Sequence, residues 1–220
     1  MALCASLTLL FLSAFAVARP PPQHHRLQTP ITCPIVFDGR VHKNLTLKDF
    51  DVEGRTPYQS GYVHGVNLTW SQILQFPEVS PSKFDSPIDK AVEVTISDDS
   101  LFKPGSGRIQ PGFRRAGFLL GANNGTDASN VGVKTFHWSV RQDPKMAMNL
   151  THEYMNVWHE TNDYSHNQFS FKAGIVLFVN NQTAKDTWKI TDYKDRIVWS
   201  APISFTEWQN FAIKLDYNKK

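Results

Sequence analysis

The residues that could do chemistry are most concentrated in residues 149–163 (NLTHEYMNVWHETND). Seven polar, charged or aromatic residues fall within nine positions here: His152, Glu153, Tyr154, Asn156, Trp158, His159 and Glu160. Aromatic rings pack against the apolar faces of sugars, amides and imidazoles bond sugar hydroxyls, and carboxylates transfer protons. The mixture favours a carbohydrate cleft, although an ordinary strand with aromatic residues in a subsidiary core would have the same composition.

If this segment is a β-strand, alternation decides which side chains reach the cleft. The residues predicted to share the cleft face are Tyr154, Asn156, Trp158 and Glu160. Met155 and Val157 would point to the core, and strict alternation would leave Glu153 there too. We therefore predict a β-bulge or a strand start near His152, which would bring Glu153 back to the cleft.

Two other strands offer polar faces that could meet this segment. In residues 91–97 Glu93 alternates with apolar residues, and in residues 134–141 His137 does the same. One side of an inner strand of a sandwich packs in the core and the other can line a groove, although a solvated outer face gives the same pattern. We predict Glu153 as one catalytic carboxylate, with Glu93 and His137 as the other catalytic groups.

A further set of residues is predicted to contact substrate: Arg114, His152, Tyr154, Asn156, Trp158 and Glu160. Arg114 and Arg115 follow a Pro-Gly turn and alternate to opposite faces. A structural salt bridge and a substrate contact are equally compatible with this arginine pair.

Several other chemistries lack their motifs. No GxSxG elbow, phosphate-binding loop or dinucleotide fingerprint occurs, and His152 and His159 match neither an HExxH helix nor a zinc finger. Cys33 lies beside Pro34 with nothing to activate its thiol. We predict no metal and no cofactor.

The elements that must position these residues are strands. Period-two alternation, separated by Gly, Pro and Asn turns, predicts strands over residues 91–97, 134–141, 149–163, 168–179, 187–193, 197–199 and 208–217. Only residues 68–74 indicate a short helix. Many short strands with almost no helical periodicity predict an all-β protein, a two-sheet sandwich of jelly-roll type.

The start of the chain is typical of export. An apolar run over residues 7–17 ends in an Ala-Val-Ala cleavage pattern and the sequence Arg-Pro-Pro-Pro. We predict a signal peptide over residues 1–18, a mobile leader over 19–30 and one domain over 31–220. The run is too short to span a bilayer, so no membrane anchor is expected.

Glycosylation and charge agree with a secreted protein. Five N-x-[ST] sequons are predicted glycosylation sites: Asn44, Asn67, Asn124, Asn149 and Asn181. The net charge of +3 comes from interspersed residues rather than from a basic block, which argues against nucleic-acid binding. The expected partner is a polysaccharide, and the expected assembly is a monomer.

The cysteines and the last strand indicate an incomplete domain. Cys4 lies in the signal, so Cys33 is the one cysteine of the mature chain, and the final alternating strand is followed only by Asn218, Lys219 and Lys220. We predict that the domain is truncated at its C-terminus, the alternative being a free buried thiol and a natural stop.

The chain resembles glycoside hydrolase family 131, secreted fungal enzymes that act on β-glucans. The matching motifs are VFDGR (36–40), VSPSKFD (79–85), VEVTISD (92–98), GFRRA (112–116), GVKTFH (132–137), LTHEY (150–154), VWHE (157–160) and EWQNFAI (207–213). The resemblance implies a jelly roll with an open cleft and hydrolysis of β-1,3-, β-1,6- and β-1,4-linked glucan with inversion. It also implies that the domain continues beyond residue 220.

One departure from the family bears on activity. The arginine motif of the family continues Arg-Arg-Ala-Glu, with the Glu resembling a cleft carboxylate, whereas Gly117 occupies that position here. A non-catalytic glucan-binding relative is therefore a second hypothesis. A jelly-roll polysaccharide lyase using Tyr154 and His137 is a third.

Overall fold

The computed structural model describes residues 33–61, 63–121, 128–179 and 184–219. The secondary structure described lies in one compact unit, Val36–Lys220. The predicted signal peptide and leader lie outside the described residues, as do the sequons at Asn124 and Asn181.

The described part of this unit is built from antiparallel strands and very little helix. The strands are β1 (Val41–His42), β2 (Leu74–Gln75), β3 (Asp89–Lys90), β4 (Glu93–Val94), β5 (Leu101–Phe102), β6 (Gln110–Arg114), β7 (Val133–Val140), β8 (Glu153–Glu160), β9 (Asn167–Gly174), β10 (Thr187–Asp192), β11 (Ile197–Pro202) and β12 (Gln209–Asp216). The helices are α1 (Trp70–Ile73) and two 3₁₀ turns, Leu47–Asp51 and Ala128–Asn130.

The main sheet has the strand order β11-β10-β9-β8, and the β7–β12 pair packs against one of its faces. Aromatic residues fill the space between the two layers. The ring centroid of Phe171 lies 4.5 Å from that of Phe211, 4.8 Å from that of Trp188 and 5.4 Å from that of Trp138. Because Phe171 is completely buried, it is the centre of this core.

A second apolar cluster supports the N-terminal half of the unit. Its buried members include Phe50, Trp70 and Leu74, from the first 3₁₀ turn, α1 and β2. The helix begins after Thr69, whose backbone N–H donates to the side chain of Gln72 at 2.8 Å. Val94 of β4 packs on the same cluster.

The all-β antiparallel sandwich predicted from the alternation is confirmed. β7, β10 and β12 lie within one or two residues of the predicted strands, whereas residues 91–97 form only the two-residue strand β4. This strand is short because its partner β2 has two residues, lying between α1 and Pro77. The strand predicted over residues 168–179 is shorter than expected, because β9 ends at Gly174 with φ 77°.

Three predicted glycosylation sites can be located. Asn44, Asn67 and Asn149 are all exposed, as the attachment of a glycan requires. Cys33 is an exposed free thiol rather than a buried one. Among the described residues no helix is long and apolar enough to cross a membrane.

Candidate active site

A β-bulge in β8 decides which side chains of the richest segment share a face. The pairing with β9 shifts between Met155 and Val157, which leaves Asn156 as the extra residue. Glu153 and Met155 before the bulge, and Trp158 after it, therefore point to the same side of the sheet. Of the two alternatives predicted near His152, the strand start is found there, since β8 begins at Glu153, and the bulge lies four residues beyond His152, at Asn156.

The bulge reverses the assignment made for two residues. Tyr154 pairs with Ala173 and packs in the sandwich core, so it does not share a face with Trp158. Met155 lies on the side opposite the core and is 39% exposed. The expectation failed for both because strict alternation was carried through a position where the strand has one extra residue.

The face that carries Glu153 and Trp158, here called the polar face, continues across the sheet. In register with these residues, β9 and β10 present further polar side chains on the same side: Ser170, Lys172, Lys189 and Thr191. All four are buried. The opposite face carries the aromatic core, so the two sides of one sheet have distinct chemistry.

Glu153 is clamped at the N-terminal end of β8. Its Oε1 lies 3.2 Å from the Nζ of Lys172, and its Oε2 accepts a 2.6 Å hydrogen bond from the backbone N–H of Leu177. The Glu153 side chain is 17% exposed, and that of Lys172 is 6% exposed. Lys172 also lies 3.7 Å from Asp195. The carboxylate is thus fixed in position, paired with an ammonium, and still reachable from solvent.

Trp158 lies against the segment that follows β6. The guanidinium of Arg115 is 5.3 Å from the Trp158 ring. A Cβ built on Gly117 would lie 3.5 Å from the same ring, an ordinary van der Waals distance. Position 117, where the related motif has a glutamate, therefore faces the indole of the polar face.

Two buried hydroxyls on the polar face lack hydrogen-bond partners among the described residues. Ser170 Oγ and Thr191 Oγ1 belong to residues directly opposite each other on β9 and β10, with exposures of 1% and 0%. Ser170 in turn is the cross-strand partner of Trp158. Leaving a buried hydroxyl without a hydrogen bond costs about 1–3 kcal/mol of folding free energy. The polar face therefore carries two hydroxyls that could still form hydrogen bonds.

Glu93 lies in the N-terminal half, on β4. Val92 and Val94 on either side of it pack on the second apolar cluster, so the Glu93 side chain points away from that cluster. Burial, followed by the negative charge of Asp143, raises the pKa of Glu93 above its ordinary value. A carboxyl group that keeps its proton to higher pH is suited to general-acid catalysis.

The remaining predicted residues are dispersed. His137 is exposed on the outer side of β7, where its ring lies 5.1 Å from that of Phe84. Its neighbours Phe136 and Trp138 face the main sheet, so His137 is on the far side of the sandwich from Trp158. The structure does not bring His137 together with Glu153.

Four predicted substrate contacts are exposed. Arg114 forms an ion pair with Asp98 at 3.1 Å, which supports the structural alternative for this arginine. His152 contacts the backbone and side chains of the turn before β8. Asn156 is the bulge residue, and Glu160 ends β8.

Sequence reasoning missed Lys172 and Asp143. A charged residue in the middle of the apolar stretch 168–179 was a signal for Lys172, because a lysine is rarely buried without a partner. Asp143 lies in a loop, and nothing in the sequence connects it to Glu93.

Two open cavities among the described residues lie elsewhere. One of about 520 Å³ is lined mainly by apolar residues of β9–β12, such as Ile190 and Phe211, and one of about 400 Å³ lies near Phe37. Neither Glu93 nor Glu153 lines them. No group of three or more metal-binding side chains is found in the described residues.

An antiparallel sandwich whose main sheet displays a tryptophan, a clamped carboxylate and free hydroxyls on one face has the make-up of a carbohydrate-active protein. A family model described as the glycoside hydrolase 131 catalytic N-terminal domain matches residues 35–220. The chain belongs to this family of glycoside hydrolases.

The fold agrees with that of a solved relative. The crystal structure of a GH131 β-glucanase catalytic domain from Podospora anserina aligns with a TM-score of 0.64 and 17% identity, over 84% of this chain and 71% of that one. Among curated proteins, none matches the chain.

Proposed function

We propose that the chain is a secreted hydrolase of β-glucan, cleaving β-1,3-, β-1,6- and β-1,4-linkages by carboxylate acid/base catalysis with inversion. Family membership supports the hydrolase class. The observation that carries the proposal is the placement of Glu153 and Trp158 on one face of β8 by the Asn156 bulge. A sugar ring stacked near Trp158 would lie along the strand that holds the clamped carboxylate.

The two glutamates take different roles in this proposal. Glu93, whose pKa burial raises, gives its proton to the glycosidic oxygen as the C1–O bond breaks. Glu153, held beside Lys172, accepts a proton from the water whose oxygen attacks C1 from the opposite side. Glu93 thus stands in for the acid that the family motif has at Gly117.

Release of reducing ends from a soluble β-1,3/1,6-glucan tests the proposal. We expect Glu93→Gln and Glu153→Gln each to lower kcat by about 10²- to 10⁴-fold. Glu207→Gln, at an exposed glutamate in the loop before β12, is the matched control and should leave the rate unchanged. Full activity in both variants would refute the assigned roles.

Gly117 favours a second candidate function, a glucan-binding relative without catalysis. Glucan binding with no turnover, unchanged in Glu153→Gln, would establish it. The lyase hypothesis needs Tyr154 and His137 in one cleft, whereas Tyr154 packs in the sandwich core and His137 lies on the outer side of β7. That geometry argues against a lyase.

A further inference from the structure

Two hairpin turns at one end of the main sheet display exposed aromatic side chains. The β8–β9 turn carries Tyr164 and His166, and the β10–β11 turn carries Tyr193. Because β8 to β11 run up and down in order, these turns meet at the same end of the sheet. Tyr164 is 80% exposed, Tyr193 is 52% exposed, and the rings of His166 and Tyr193 lie 6.1 Å apart. We call these three residues the turn-tip surface.

The first turn is held rigidly. Asp163 Oδ1 accepts hydrogen bonds from the hydroxyls of Thr161 at 2.6 Å and Ser165 at 2.8 Å. These bonds lower the pKa of Asp163 to about 2, so the acceptor is ionised at any ordinary pH. Tyr164 has φ 58°, a left-handed conformation that a bulky residue rarely adopts. The turn therefore fixes the backbone at Tyr164 and leaves the ring 80% exposed to solvent.

The second turn is held in the same way. Asp192 Oδ1 accepts from the backbone N–H groups of Lys194 at 2.9 Å and Arg196 at 3.0 Å. The ammonium of Lys194 lies 5.2 Å from the centre of the Tyr193 ring. Tyr193 thus presents its ring beside a cation that can donate to hydroxyl groups.

Folding does not account for these rings. Among the described residues the Tyr164 side chain has no ring contact or hydrogen bond, and no apolar cluster includes Tyr164 or Tyr193. Rigid aromatic rings bind with little loss of conformational entropy, and their faces suit the C–H faces of sugars.

We propose that the turn-tip surface is an accessory binding site for a β-glucan chain, separate from the acid/base residues. This rests on the proposed function for the identity of the sugar. Continuity with the candidate site favours this occupant, since β8 runs from Trp158 through Glu160 directly into the first turn. The turn that carries Tyr164 is therefore the next part of the surface beyond the end of β8 for a polymer that follows this strand from Trp158.

The test separates adsorption from hydrolysis. The full chain carrying Tyr164→Ala and Tyr193→Ala together is compared with Phe205→Ala, an exposed aromatic control in the loop before β12. Adsorption isotherms on insoluble β-1,3-glucan particles are measured beside reducing-end release from a short soluble β-glucan oligosaccharide. We expect the double variant to lose about tenfold in partition coefficient, with oligosaccharide hydrolysis and the control unchanged.

A second variant distinguishes the ring from the hydroxyl. Tyr164→Phe keeps the ring and should keep full adsorption. Unchanged adsorption in the double variant would overturn the inference, as would a changed oligomeric state by sedimentation with adsorption intact. Ring-dependent adsorption in a chain that hydrolyses no glucan would support this surface while refuting the proposed function.

Discussion

Gly117 offers the sharpest test of the active-site proposal, by gain rather than loss of activity. The backbone N–H of Gly117 donates to the carbonyl of Val63 at 3.1 Å, which fixes the segment. An added Cβ would meet only the ring of Trp158, at 3.5 Å and 3.9 Å. Glycine is not required there for a left-handed conformation, since no positive φ occurs at this position. Gly117→Glu should therefore fold and place a carboxyl beside the indole.

The expected gain follows from what a positioned acid contributes. General-acid catalysis is worth about 10²- to 10⁴-fold in rate. The present substitute, Glu93, lies on β4 and not in the segment after β6 that contacts Trp158. We expect Gly117→Glu to raise kcat on soluble β-1,3/1,6-glucan by about 10²-fold. Gly117→Gln has nearly the same size without an acidic proton and should leave kcat near that of the unmodified chain.

The pair of variants can refute the reasoning in two ways. Equal rates in Gly117→Glu and Gly117→Gln would show that any gain comes from packing on Trp158. No gain in Gly117→Glu, with a thermal unfolding midpoint unchanged from the parent, would show that position 117 does not reach the reacting bond.

Three further changes probe the clamp, the acid and the core. Lys172→Met leaves Glu153 half-buried without its cation and should lower the free energy of unfolding by about 3 kcal/mol in urea titration. Asp143→Asn removes a negative charge that raises the pKa of Glu93. Since Glu93 must be protonated to act, the basic limb of the pH–kcat profile should shift to lower pH. Phe171→Ala empties the sandwich core and should cost about 3–5 kcal/mol of unfolding free energy.

Each of these changes has a control on the same chain. Lys214→Met, on the exposed side of β12, and Phe205→Ala should leave urea midpoints unchanged. A basic limb that stays in place in Asp143→Asn would remove Glu93 from the acid role. A Lys172→Met protein as stable as its parent would mean that Glu153 is solvated rather than clamped.

The sandwich could be predicted from the sequence because its strands are half-buried. A strand with one buried face has apolar and polar residues that alternate along the sequence. In β7, for example, Phe136 and Trp138 face the main sheet. Alternation failed for β4, because the length of a strand also depends on its partner. Glu93 lies on such a two-residue ladder, and the sequence around it gives no sign of where the partner ends.

The pairing of side chains across the sheet could not be predicted. Lys172 meets Glu153 only because β9 lies beside β8 in a register that sets Lys172 opposite Met155 and Gly174 opposite Glu153. Register is set jointly by the hydrophobic patterns of both strands and by the geometry of the turn between them, so the sequence of one strand alone does not give it. Asp143 and Glu93 interact through a loop, which has no periodicity to read.

The bulge at Asn156 links fold and proposed chemistry most directly. Without an extra residue, β8 could not direct both Tyr154 and His159 to the core while directing Glu153 and Trp158 to the polar face, because each pair is separated by an odd number of positions. One inserted residue reconciles the two demands at the cost of a locally disrupted ladder. The candidate site therefore depends on the extra residue Asn156, which is exposed and need not touch a sugar. Its presence determines which side chains after the bulge point to the polar face.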